Sequence, residues 1–300
     1  MTTTFILLAL SIIGSESPAA NNPIFEELVE KGVEMSEGRV VKLPRPILPD
    51  GLDAAGQRQA LESAATVRDT VEKLVQKSFY APAVVKVRTL KRSGDEEGPA
   101  VRAVDLCFVA HGDWNTLTSK EFLESFFGKD GEGESGVVSK SGTLDDEEMA
   151  ERNLAVAGKD GYEERFVHTT FALFERVELS TMRLAGLSRG DDSWLAASRI
   201  DRRFDQDPKY PNQWRPLLRD ARAEIKPGPP RPFSHAGGYM KITRLKEPKD
   251  AVFVECHFVY EEDYGWFDGA NLVGQKAPLI VREKVRTFRR KLAVASEGQK

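Results

Sequence analysis

Two stretches of this chain combine a carboxylate, a glycine and an indole in a way that an acid–base centre or a shallow ligand site would need. The first is His111-Gly112-Asp113-Trp114 and the second is Asp263-Tyr264-Gly265-Trp266-Phe267-Asp268-Gly269. Each follows an alternating apolar run, so each reads as the exit from a β-strand. A His–Asp pair can move a proton, and Trp114 or Trp266 can stack on a sugar or another flat ligand. Were the two exits side by side, His111, Asp113, Asp263 and Asp268 would form a rim with paired carboxylates suited to hydrolysis of a glycosidic or ester bond. The same residues have a plainer use. Gly-Asp and Asp-Gly are turn formers, and a Trp beside such a turn caps an apolar edge. Since no local spacing here is diagnostic, the plainer use carries more weight.

Other chemistry-bearing residues are weaker. Cys107 and Cys256 are compatible with one disulfide in an oxidising compartment, yet strand alternation favours two separate buried thiols. Cys107 and His111 sit too far apart along one strand to hold the same ion, and Cys256 and His257 point to opposite faces. A metal site would therefore have to be assembled across strands, for example from His111, His168 and His257, and none is expected. Asp201-Arg202-Arg203-Phe204-Asp205 lacks calcium-loop spacing, and Asp130-Gly131-Glu132-Gly133-Glu134 reads as a solvated loop rather than a cation site. Ser234-His235 has no adjacent acid and no nucleophile-elbow pattern. Tyr210-Pro211-Asn212-Gln213-Trp214 reads as a loop packed down by its aromatics.

The chain has no Walker loop, no dinucleotide fingerprint behind a strand and no His-Glu-x-x-His, so no cofactor is expected. A formal charge of −4 argues against a nucleic-acid partner. The charge is uneven. Residues 121–164 carry thirteen acidic against four basic side chains, whereas 282–291 carry six basic side chains against Glu283. Arg282, Arg286, Arg289 and Arg290 could meet an anionic surface or polysaccharide; a solvated helix face is the simpler reading.

The elements that must position these residues follow from periodicity. Residues 1–20 read as a cleavable signal peptide: Phe5 to Ile13 is a short apolar run, and Ser17 and Ala19 are the small residues of a cleavage site after Ala19. No Lys or Arg precedes that run. The chain is therefore expected in a secreted or periplasmic compartment. Residues 21–54 read as a short helix opened by Asn22-Pro23, then an extended connector through Pro44, Pro46 and Pro49. Residues 55–295 read as one large α+β domain, and 296–300 as a disordered tail. Within the domain, apolar steps of three and four predict a helix over 55–79. Strands are predicted at 83–91, 101–110, 166–174, 177–187, 193–200, 239–245 and 251–260. A capping box at Thr118-Ser119-Lys120-Glu121 predicts a helix, 128–142 a mobile loop, 144–156 an acidic helix, and Pro278 the start of a last helix. Proline-broken loops are expected at 207–216 and 227–233. Short turns between strands, with no βαβ alternation, predict a mainly antiparallel sheet of hairpins with flanking amphipathic helices. A weak likeness between the hairpins 84–114 and 240–266 is explained by generic strand patterning. The function expected is non-enzymatic binding or scaffolding in the cell envelope, with an exported hydrolase of an envelope polymer as the alternative.

Overall fold

Runs that alternate apolar and polar residues become strands, and their pairing decides where each rim lies. The computed structural model describes residues 17, 18, 21–65, 70–90, 99–119, 122, 130–132, 138–159, 161–219, 224–263, 265–267 and 272–297. Its strands are β1 Val33–Glu34, β2 Val40–Val41, β3 Ala83–Leu90, β4 Ala100–His111, β5 Asp130–Glu132, β6 Val138–Thr143, β7 Gly158–Lys159, β8 Tyr162–Leu173, β9 Val177–Arg189 and β10 Ser193–Ile200. They continue as β11 Gln213–Arg219, β12 Ile225–Pro227, β13 Arg231–Pro232, β14 Ala236–Arg244 and β15 Ala251–Glu262. The helices are α1 Pro23–Glu26, α2 Ala54–Ala64, α3 Val71–Leu74, α4 Trp114–Thr118, α5 Asp146–Glu151 and α6 Leu272–Glu297.

The main sheet runs β3-β4-β15-β14-β10-β9-β8-β6-β5, with β7 added to β8, and β11 added to β9 together with β12 and β13. Every pair is antiparallel, so the fold is α+β as the turn spacing requires. One face is covered by the N-terminal segment. Phe25, Leu28 and Leu43 pack on Leu195, Tyr239 and Val259, and Leu48, Leu61 and Leu74 pack on Cys107, Val109 and Phe253. The other face takes α6, whose Val285, Phe288 and Leu292 meet Phe108, Val252, Val254 and Ile242. That apolar stripe recurs at helical steps, the spacing of one face of a helix. Burial of each such side chain contributes about 1.5–3 kcal/mol.

Several elements differ from expectation. The stripe over 55–79 is split: Ala65 is extended, and Thr70 caps a second helix by accepting from Lys73 N at 3.4 Å. Leu61, Ala64, Val71 and Leu74 remain buried, while Phe79 lies beyond both helices. Thr118 ends α4 instead of starting a helix, and Ser119 Oγ accepts from Phe122 N at 3.2 Å. Lys120, Glu121 and 123–129 lie outside the described residues. The expected loop over 128–142 contains β5 and β6, ordered by pairing of β6 with β8. Gly and Ser have weak strand preference, so tertiary pairing overrode composition there. Trp214 and Pro216 belong to a strand, with Pro216 opposite Val177. The last helix starts at Leu272, with Pro278 inside it. Ser296 is no part of a loose tail: its Oγ accepts from Asp113 N at 2.9 Å and donates to Leu292 O at 2.7 Å.

Candidate functional site

The register of β4 on β15 settles whether the two rims meet. His111 pairs with Ala251, and Ala100 pairs with Glu262. The His111 and Asp263 ends are therefore separated by the length of these strands, about 36 Å at roughly 3.3 Å per residue. His111 and Asp113 cannot share a site with Asp263. Asp268 lies outside the described residues.

At the first rim His111 and Asp113 are held by local hydrogen bonds. His111 Nε2 is 2.9 Å from Val75 O; a carbonyl can only accept, so this nitrogen carries the proton. Burial pushes the imidazole below its usual pKa. Asp113 accepts from Thr116 N at 2.8 Å and caps α4. Trp114 packs edge-on to Trp194, with centroids 6.5 Å apart. Gly112 is needed for contact: a Cβ there would lie 2.4 Å from Leu292 Cγ.

The second rim opens on a cleft of about 430 Å³, lined by Ser36, Trp214, Arg231, Phe233, His235, Glu261 and Asp263 among others. Asp263 Oδ2 accepts from Trp214 Nε1 at 2.7 Å. Burial, helped by the charge of Glu261, raises the Asp263 pKa against the opposing pull of that indole N–H. Glu261 accepts from Ser36 N at 2.9 Å and Ser36 Oγ at 2.7 Å. His235 Nδ1 donates to Glu34 O at 2.9 Å, and its Nε2 stands 4.0 Å from Glu261 Oε2. Arg231 lies 5.0 Å over the Trp214 ring. Trp266 is only 2 % exposed and packs against Trp214, Phe233 and Tyr260, so it forms the wall behind the cleft and offers no stacking face. Its Nε1 is buried without a hydrogen-bond partner among the described residues.

Asp263 was legible as a turn acid beside two aromatics. Arg231, His235, Glu261 and Ser36 were missed as a group because they come from separate segments that only the sheet brings together. One signal was present: Glu261 continues an alternating strand with a charged residue on a buried position.

A second polar cluster lies under the connector. Glu255 is 0 % exposed and accepts from Ile47 N at 2.7 Å and Leu48 N at 3.3 Å. Lys241 donates to Leu48 O and to Asp50, both at 2.7 Å, and Tyr239 donates to Pro44 O at 2.7 Å. These side chains satisfy the backbone of a segment that cannot join the sheet, so their role is to fasten the connector. Beside them, His257 Nδ1 is 2.8 Å from Asp105 Oδ1 and Nε2 is 3.6 Å from Glu255 Oε2. Burial alone would lower the His257 pKa, but these two carboxylates outweigh it and raise it. Cys107 lines the same hollow, and burial pushes its thiol up to about 12. A nucleophilic cysteine needs the opposite shift.

Cys107 and Cys256 are both free. Cys107 pairs with Glu255 and Cys256 with Leu106, so the two thiols leave adjacent strands on opposite faces. His111 and His257 stand roughly 20 Å apart along the same strand pair. His168 Nε2 contacts Ser180 Oγ at 3.1 Å on β8 and β9, so these three histidines do not converge. Among the basic residues of α6, Arg289 is not on the surface. It is 4 % exposed and points into the body, where carbonyl acceptors hold it. Arg290 pairs with Glu283 at 3.2 Å.

No known family and no curated protein matches the chain. Among solved structures, it is similar to human STARD10 at 9 % identity, covering 69 % of this chain and 73 % of that one with a TM-score of 0.36. It is also similar to a conserved protein from Geobacillus kaustophilus at 6 % identity, covering 63 % and 94 %, with a TM-score of 0.30. Likenesses of this strength carry no conclusion about function. No helix among the described residues is long and apolar enough to cross a membrane.

Proposed function

We propose that this chain is an exported, non-enzymatic binding protein of the cell envelope or the space outside it, and that it holds a small polar ligand in the Asp263 cleft. The observation that carries this reading is the mixed chemistry of that cleft. Two carboxylates, an imidazole and a guanidinium face one opening of about 430 Å³ beside Phe233 and Pro232. Such a lining suits a ligand with both donors and acceptors, such as an amino sugar, and the apolar wall favours its carbon face. Export is inferred from the apolar run and small-residue site at the N-terminus. Cleavage after Ala19 would remove Ser17 and Pro18, which contact Asp50 and Ser188, while Asp50 keeps Lys241 and Ser193.

A second reading has one observation in its favour. Asp263 has a raised pKa beside Glu261, the combination a general acid and its partner carboxylate need. In that reading the hydrolase uses Asp263 and Glu261, without His111 or Asp113. Titration with glucosamine and with short chitin oligomers separates the two. Binding predicts a saturable change in tryptophan fluorescence, lost in Arg231→Ala, with the probe recovered intact. Cleavage of the oligomer that disappears in Asp263→Asn would favour the hydrolase. Silence in both assays would remove the amino-sugar class. The mass of protein recovered from its own secretory compartment tests export, and an unprocessed Met1 start would refute it.

A further inference from the structure

We propose that a phosphate group binds in the hollow between α6 and the segment entering β3, held by Arg282, Arg286 and Arg289. The hollow measures about 250 Å³; those three arginines, Tyr80, Ala81, Pro82 and Ala83 line it, with no carboxylate in the lining.

Arg289 is the anchor. Its Nε donates to Val109 O at 2.8 Å, its Nη1 to Ala81 O at 2.6 Å and Phe79 O at 3.2 Å, and its Nη2 to Pro82 O at 3.1 Å. A guanidinium has five N–H donors. The second Nη2 proton therefore has no acceptor among the described residues, on a side chain 4 % exposed that borders the hollow. Carbonyl dipoles orient this cation without cancelling its charge, and no ion pair of Arg289 exists among the described residues. Burial lowers its pKa to about 10, so it stays cationic at neutral pH. An uncompensated buried charge is costly, and an anion at the mouth would repay that cost.

The other two arginines extend the site outward. Arg282 makes no ion pair among the described residues. Arg286 pairs through Nη1 with Glu283 at 2.9 Å, and its guanidinium lies 5.1 Å over the Tyr80 ring. Glu283 also takes Arg290, so one carboxylate serves two cations there. The contact with Tyr80 restrains the Arg286 side chain at the hollow, and its Nη2 and Nε remain as donors toward an oxyanion. Tyr80 itself lines the hollow and is 77 % exposed. Phosphate fits because its several acceptor oxygens and charge near −2 match three arginines lining one hollow.

Inorganic phosphate is the first probe, added to the full chain and compared with sodium chloride at matched ionic strength. The expected result is a saturable rise in melting temperature with phosphate only. Arg282→Gln/Arg286→Gln, at positions outside the core, should weaken that binding on the order of a hundredfold, the loss of two charge-assisted contacts. Lys276→Gln/Lys284→Gln removes the same charge from the same helix away from the hollow and should leave binding intact. Sedimentation with phosphatidylcholine vesicles containing phosphatidic acid then separates sources. Capture that the arginine pair abolishes indicates a lipid headgroup, and phosphate binding without capture indicates a soluble phosphorylated molecule. No phosphate effect beyond chloride, or equal loss in both double variants, would overturn the site.

Discussion

The His111 rim and the Asp263 rim contain the same residue types, but they behave differently because one is packed against α6 and the other opens on a cleft. At the first, Asp113 caps a helix, His111 donates to a backbone carbonyl and Gly112 makes room for Leu292. At the second, Asp263 is desolvated beside Glu261, Trp266 buries an indole N–H with no partner among the described residues, and a cleft opens in front of them. Residue type therefore says little about a site. Polar side chains that face open volume say more.

The largest test of this difference is the indole pair. Trp266 sits inside an aromatic cluster, so Trp266→Ala should cost about 3–5 kcal/mol by denaturant unfolding. Trp114 is only partly buried against Trp194, and Trp114→Ala should cost about half as much. Equal losses would mean that the rims are packed alike.

The glycines and the capping acid come next. Gly112→Ala forces a Cβ into Leu292 and should cost about 1–3 kcal/mol, with Leu292→Ala in the same chain recovering part of the clash. At the other rim, Gly265 has φ +88° with only distant neighbours, so Gly265→Ala costs backbone strain of about 1 kcal/mol. Asp113→Ala should lose about 1 kcal/mol with its cap, whereas Asp113→Asn should be nearly neutral because Asn caps as well. A large loss of any activity in a stably folded Asp113→Asn protein would contradict the structural role of this acid.

Much of the fold was readable from periodicity. The strands from Tyr162 to Ile200 and the hairpin of β14 and β15 alternate with period two, and the α6 stripe repeats at helical steps. The failures have identifiable causes. Thr70 looked like one more polar residue on a helix and is a cap that restarts one. Val138–Thr143 is too Gly- and Ser-rich to announce a strand and is held by its neighbour β8. The site was less readable than the fold. Whether His111 and Asp263 meet depends on the register of β4 with β15, and antiparallel pairing of long strands sends their exits to opposite ends. Arg231 and His235 needed a loop to be placed beside β15 before they meant anything. Glu255 and Lys241, the charged pair under the connector, were legible only as charges on core positions of alternating strands.

The smallest effect is also the sharpest, because the two rims carry titrations of opposite sign. His111 has a folded pKa below its unfolded value near 6.5, so its contribution is complete above about pH 6.5 and fades as the pH falls toward the folded value. Asp263 has a folded pKa above its unfolded value near 3.9, so the folded chain holds that proton more tightly. Its contribution is complete below about pH 3.9 and fades as the pH rises through the folded value. Asp263→Asn cannot ionise but still offers an oxygen to Trp214 Nε1. The variant should therefore match the wild type in acid and melt slightly higher, by about 1 °C or more, near neutrality. His111→Gln should instead flatten the acid limb and leave neutral stability little changed. Melting curves recorded for the three proteins across the acid and neutral range test both signs together. An Asp263→Asn variant that gains nothing on the wild type as the pH rises would place that carboxylate in solvent, and the two rims would no longer differ in the way that supports the second as the proposed binding site.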